Sequence, residues 1–209
     1  MDEINEIAEL ASDWWVKQII NPEFDNGDAS FEGFMASYFS KQLLEPLTED
    51  QIMGFKDDLK LFILNRLSKV DKYLGVMQYE YEYRTFTDLS TDYAPTTFLH
   101  EIAKQNNIKD TNFPIKTTMW VSRNYLAVKG GYTAGINILY ANSKYYEDKI
   151  KSYEDSIKEM KEQNDEEWNK IHSFPKNEII EEQQKVLESL NKEYEVIKKN
   201  GPKGLARLS

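Results

Sequence analysis

The chain has 209 residues, 40% of them hydrophobic and 30% charged, with no cysteine and a formal net charge of −10. That mixture is too apolar for a disordered chain, and no run approaches the ~20 apolar residues that a membrane-spanning helix needs. Disulfides and thiolate metal sites are excluded, and the net acidity disfavours direct contact with DNA or RNA, whose phosphates it repels.

The acidic start, MDEINEIAEL, is unlike a basic secretory signal, so the expectation is a cytoplasmic protein. Residues 3–20 are predicted to form an amphipathic helix: Ile4, Ile7, Ala8, Ala11, Trp15 and Ile19 recur at three- and four-residue spacing, and Asn21-Pro22 stops it. A turn at Phe24-Asp25-Asn26-Gly27-Asp28 precedes a second helix reaching about Leu44, with Asp28 or Ser30 as its cap. Thr48 followed by Gln51 is a capping-box pattern and opens a third helix carrying Ile52, Phe55, Leu59, Phe62, Ile63 and Leu67.

The period then changes. Alternation from Tyr73 to Phe86 predicts a long strand, and residues 96–106 a short helix burying Phe98, Leu99, Ile102 and Ala103. Residues 117–122 and 125–129 read as two strands joined at Arg123-Asn124, ended by Gly130-Gly131, with a possible further strand in residues 132–140. Beyond them, Tyr146, Ile150, Tyr153, Ile157 and Met160 form a heptad seam, whose register slips near Asn164 before Trp168 and Ile171. Ser173-Phe174-Pro175 breaks that helix. Ile180, Leu187, Leu190, Tyr194 and Ile197 make a second seam, stopped by Asn200-Gly201-Pro202.

The fold class expected is therefore α+β, with an N-terminal helical layer, a small and mainly antiparallel sheet with an inserted helix, and a C-terminal antiparallel helical hairpin, a coiled-coil arm. The domains are residues 1–140, an arm of residues 141–200 and a tail of residues 201–209. Charge is uneven: residues 1–72 hold 15 acidic and 7 basic side chains, residues 73–141 hold 6 of each, and residues 142–199 hold 15 and 11.

Catalytic chemistry is thinly represented. His100 lies beside Leu99 and Ile102, where a satisfied and partly buried histidine is expected, and His172 lies at the hairpin break, facing solvent. No histidine pair has zinc-ligand spacing, and neither a nucleophile elbow nor a phosphate loop is present. Asp25, Asn26 and Asp28 suit a hard cation or, more simply, a turn and helix cap, because Ala36 stands where an EF-hand loop would need an acid. Glu80 and Glu82 share a strand face with Arg84, and Lys129-Gly130-Gly131 follows a strand as a turn does. No cofactor and no metal are expected.

Asp13-Trp14-Trp15, Phe24-Asp25-Asn26-Gly27-Asp28, Asp92-Tyr93-Ala94-Pro95 and the run from Phe113-Pro114 through Trp120-Val121 to Gly130-Gly131-Tyr132 together resemble proteins of phages and mobile elements of Gram-positive bacteria. The resemblance covers residues 10–140 and brings no catalytic residues. It implies an inhibitor of host defence, of the anti-CRISPR kind, that acts in the cytoplasm of a bacterial host and binds a CRISPR effector or another defence complex. In that reading Asp2, Glu3, Glu6, Glu9, Asp13, Asp57 and Asp58 face a basic groove, and Tyr146, Tyr153 and Trp168 are contacts on the arm. Two other readings stay open. One is a scaffold that homo-oligomerises through the arm, and the other is a metal- or nucleotide-dependent enzyme using Asp25, Asp28, His100 or Glu80.

Overall fold

A computed structural model describes residues 3–22, 43–70, 86–130 and 135–204 of the chain. The expected cation turn lies wholly outside the described residues, as do the second helix up to residue 42 and the long strand up to residue 85. The fold is α+β, and the chain divides into two compact units, Met1–Leu139 and Tyr140–Ser209, each with its own interior.

In the first unit, helix α1 (Glu3–Ile20) buries Ile7, Ala8, Ala11, Trp15 and Ile19, the stripe its spacing predicts. Glu3 and Glu6 lie in its first turn and Lys17 in its last, the signs its dipole favours. Helix α2 (Glu49–Val70) opens on the expected capping box. The Thr48 amide donates to Gln51 Oε1 at 2.9 Å, and the Gln51 amide donates back to Thr48 Oγ1 at 3.3 Å. Phe55, Leu59, Ile63 and Leu67 repeat every four residues along α2, all of them buried, and α2 packs against α1.

Among the described residues of this unit, β1 (Phe86–Thr91), β2 (Thr117–Val121) and β3 (Tyr125–Gly130) form an antiparallel meander. Met119 faces Val128 and Val121 faces Leu126 across the predicted hairpin. Its turn residue Arg123 donates through Nε and Nη2 to the Leu67 carbonyl, satisfying a group in the last turn of α2. Helix α3 (Thr97–Gln105) buries Leu99, Ile102 and Ala103 and packs on α2 and β1. It ends in a Schellman motif: Asn107 has φ 55°, its amide donates to Lys104 O at 3.1 Å, and the Ile108 amide reaches back to Ala103 O at 2.8 Å.

A fourth strand, β4 (Asn137–Ala141), leads into the second unit. There Asn142 caps helix α4 (Ser143–Glu162) by accepting from the Tyr145 amide at 3.1 Å. Sequence periodicity expected a single helix through Ile171 with a register slip. The chain instead breaks at Gln163-Asn164 and restarts as α5 (Asp165–Ile171). The reason is angular: eight residues of unbroken helix between Met160 and Trp168 would carry the indole about 80° off the seam. Helix α6 (Lys176–Asn200) stops at Gly201, whose φ of 82° and amide bond to Ile197 O at 2.8 Å close it.

Helices α4 and α6 are antiparallel. The Tyr146 hydroxyl donates to Glu193 at 3.0 Å, the Tyr194 hydroxyl to Glu147 at 2.8 Å, and Lys176 Nζ to Gln163 O at 2.8 Å. Ile157, Met160, Trp168 and Ile180 form the buried cluster of this arm, with Ile179 and Leu187 packed against it. After α6 the chain does not simply trail away, because Lys203 and Gly204 form a short strand β5 paired with Ala141 and Tyr140 of β4.

Candidate functional site

The acidic side chains expected to line a binding face have three different fates. Glu9 and Asp13 are committed to α2: Lys56 Nζ lies 2.6 Å from each, and Lys60 adds a second ammonium to Glu9. The Lys56 hydrogen bond, then that of Lys60, holds the Glu9 carboxyl below its ordinary range, while Asp13 and then Glu9 push the Lys56 ammonium up. Asp58 accepts from Asn106 Nδ2 at 2.9 Å, so it too is engaged internally. Glu3 and Asp57 are exposed and Glu6 half-buried. Asp2 is outside the described residues. Sequence reasoning did not single out Lys56 and Lys60. Their four-residue spacing beside the Phe55/Leu59 stripe is the only local signal, and it names no partner.

Among the titratable groups weighed for catalysis, Asp25, Asp28 and Glu80 lie outside the described residues. His100 is half-buried, with Nδ1 at 2.8 and 2.9 Å from the two carboxylate oxygens of Asp110. A carboxylate can orient an imidazole in this way for catalysis, but hydrolytic chemistry also needs a nucleophile on the other nitrogen. Among the described residues His100 makes no second side-chain hydrogen bond. Nor does any group of three or more His, Asp or Glu residues among them sit close enough to hold a metal ion.

The arm separates its aromatic residues into interior and surface. Tyr146 and Trp168 are buried and Tyr153 is half-buried, so the first two stabilise the hairpin and offer no free face. Trp168 Nε1 donates to Phe174 O at 2.9 Å, the His172 ring lies 3.9 Å from the indole, and Lys176 pairs with Asp165. These contacts fix the turn between α5 and α6. They leave Ile171 and Phe174 73% and 67% exposed at the end of the arm. Neither was singled out as a contact from sequence, because Phe174 reads there as part of a helix break. Farther along, Glu154, Ile157, Lys158 and Leu187 border a shallow groove between α4 and α6.

A scan against protein-family models finds no match to the chain, and a search of the curated proteins finds none either. No helix among the described residues is long and apolar enough to cross a membrane.

Proposed function

We propose that this chain is a binding protein that works without catalysis, using its helical arm to engage a protein partner. Its finer assignment is to inhibition of a host nucleic-acid-handling defence complex, of the anti-CRISPR kind. The arm is the observation that carries the reading. Its two long helices enclose a small interior of their own and present mostly charged and polar side chains outward. At about 1.5 Å per residue the 25 residues of α6 extend about 37 Å, a length suited to reaching a second molecule. The acidity supports a basic surface as target, such as a groove that otherwise holds nucleic acid. Within this reading the arm, rather than α1, presents that charge, since Glu9 and Asp13 are already neutralised by lysines.

The test is affinity capture with the tagged full-length chain from a Gram-positive lysate, washed at low and at high salt. Recovery of a CRISPR effector or another defence complex, released by salt, is the expected result. Recovery of the chain alone favours the second reading, a homo-oligomeric scaffold, which the groove beside Ile157 and Leu187 supports as a seat for another helix. A monomeric mass in light scattering then removes the scaffold as well.

A further inference from the structure

We propose that the tip of the arm is a docking knob for a basic protein surface that contains an apolar pocket. Phe174 and Ile171 enter the pocket, and the carboxylates around them meet its lysines and arginines. This deepens the reading above and rests on the arm being the binding element.

The tip carries the two most exposed large apolar side chains of the described arm, Ile171 and Phe174, ahead of Val196 and Val186 on the flank of α6. Ile157, Met160, Trp168 and Ile180 are each less than 10% exposed, whereas Ile171 and Phe174 project although buried positions lie within a few residues of both. Two large apolar side chains three residues apart are exposed here, more than the single scattered exposure that is ordinary on a protein surface. The turn is also held in advance. The indole bond to Phe174 O, the Trp168–His172 stack and the Lys176 contacts to Gln163 O and Asp165 fix the backbone that carries Phe174. A pre-ordered aromatic loses less freedom on binding, which is how a small contact becomes an energetic centre.

Charge defines the partner. Residues 162–182 hold seven acidic and two basic side chains, −5, more than the whole −4 balance of residues 142–199. Helix dipoles account for part of this, since Asp165 and Glu178 stand in first turns of α5 and α6. They do not account for Glu162, which sits at the C-terminal end of α4 where a negative charge is unfavourable. Exposed Glu178, Glu181 and Glu182 continue this acidic stretch along α6. An acidic stretch that flanks exposed apolar side chains is complementary to an apolar pocket bordered by cations.

The test measures fluorescence anisotropy of two labelled peptides of equal positive charge, a helical lysine–leucine peptide and a lysine–serine peptide, with the intact chain at low salt. The expected result is preferential binding of the lysine–leucine peptide, weakened about tenfold or more by Ile171→Ser with Phe174→Ser. Glu178→Gln, Glu181→Gln and Glu182→Gln together should weaken both peptides. Unchanged helical circular dichroism and melting midpoint verify that the variants are folded, as exposed positions permit. Equal binding of the two peptides, or full binding by the Ile171/Phe174 variant, overturns the proposal. If Val186→Ser with Val196→Ser, on the flank of α6, is instead the variant that weakens binding, the arm keeps its role and only the tip assignment falls. If neither pair matters, the arm reading falls with it.

Discussion

A Cβ on Gly54 would overlap Oδ1 of Asn106, so α2 and the end of α3 meet where only hydrogen fits. The Asn106 side chain is held on the other side by bonds from Nδ2 to Asp58 and to Ile102 O, and cannot give way without breaking one. Alanine at a mid-helix glycine ordinarily gains about 1 kcal/mol. Here the clash should outweigh that gain, so Gly54→Ala is expected to destabilise the protein by about 1 kcal/mol in urea unfolding. The same substitution in an Asn106→Ala background should stabilise, and a sign that fails to reverse would show the clash lies elsewhere. Asn107 supplies the complementary case. Its φ of 55° is the left-handed cap of α3, and the only hydrogen bond it accepts from Gln51 uses its backbone carbonyl. Asn107→Gly should therefore gain a few tenths of a kcal/mol, roughly, and Asn107→Val should lose about 1 kcal/mol or more.

At the scale of elements, α1 and α2 are joined by an apolar stripe and by the Lys56–Glu9–Asp13 and Lys60–Glu9 contacts. Glu9 has a lowered folded-state pKa, so its contribution is complete above its ordinary value of 4.5 and is lost as pH falls through the folded value. Lys56 is raised, so its contribution is complete below its ordinary 10.5 and is lost only at still higher pH. The side chains are about a third exposed, and solvent screening limits the pair to about 1 kcal/mol or less. Glu9→Gln should lower stability by that amount at neutral pH, and the two chemical-denaturation curves should converge in acid, once the pH has fallen through the lowered folded-state value. A difference that persists undiminished in acid would assign the loss to packing rather than charge. This contact was hidden in the sequence because it depends on which helices pack. The caps were legible because their chemistry is local: Thr48 with Gln51, Asn200-Gly201 after α6, and the Arg123-Asn124 hairpin turn all act within a few residues. Strand β1 escaped for the opposite reason, since Leu89 is its one large aliphatic residue between Thr87-Asp88 and Ser90-Thr91. Its pairing with β2 and the Thr91 hydroxyl, which accepts from the Thr117 amide at 3.0 Å, are long-range.

For the molecule as a whole, what matters is that two interiors serve one chain. The expected contact residues Tyr146 and Trp168 proved to be interior because a heptad seam and an aromatic binding stripe share one spacing, and sequence alone separates them poorly. Ile171 and Phe174 project for the same reason in reverse: the break at Gln163-Asn164 turns Trp168 inward and leaves its neighbours outside. Trp168 is thus the residue on which the arm's order and the tip's shape both depend. The second unit is small, and a domain of that size has few kcal/mol to spare. Trp168→Ala removes the largest member of the Ile157–Met160–Ile180 cluster and the donor to Phe174 O, a loss of about 3 kcal/mol or more. Hydrogen exchange should then accelerate at the amides of α4, α5 and α6, while the amides of α1 and α2, whose interior contains no residue of that cluster, keep their protection. Trp168→Phe, which retains most of the apolar volume but not the indole donor, should spare α4 and α6 and loosen chiefly the turn at Phe174. Equal acceleration in both units after Trp168→Ala would mean that the two interiors unfold as a single cooperative structure.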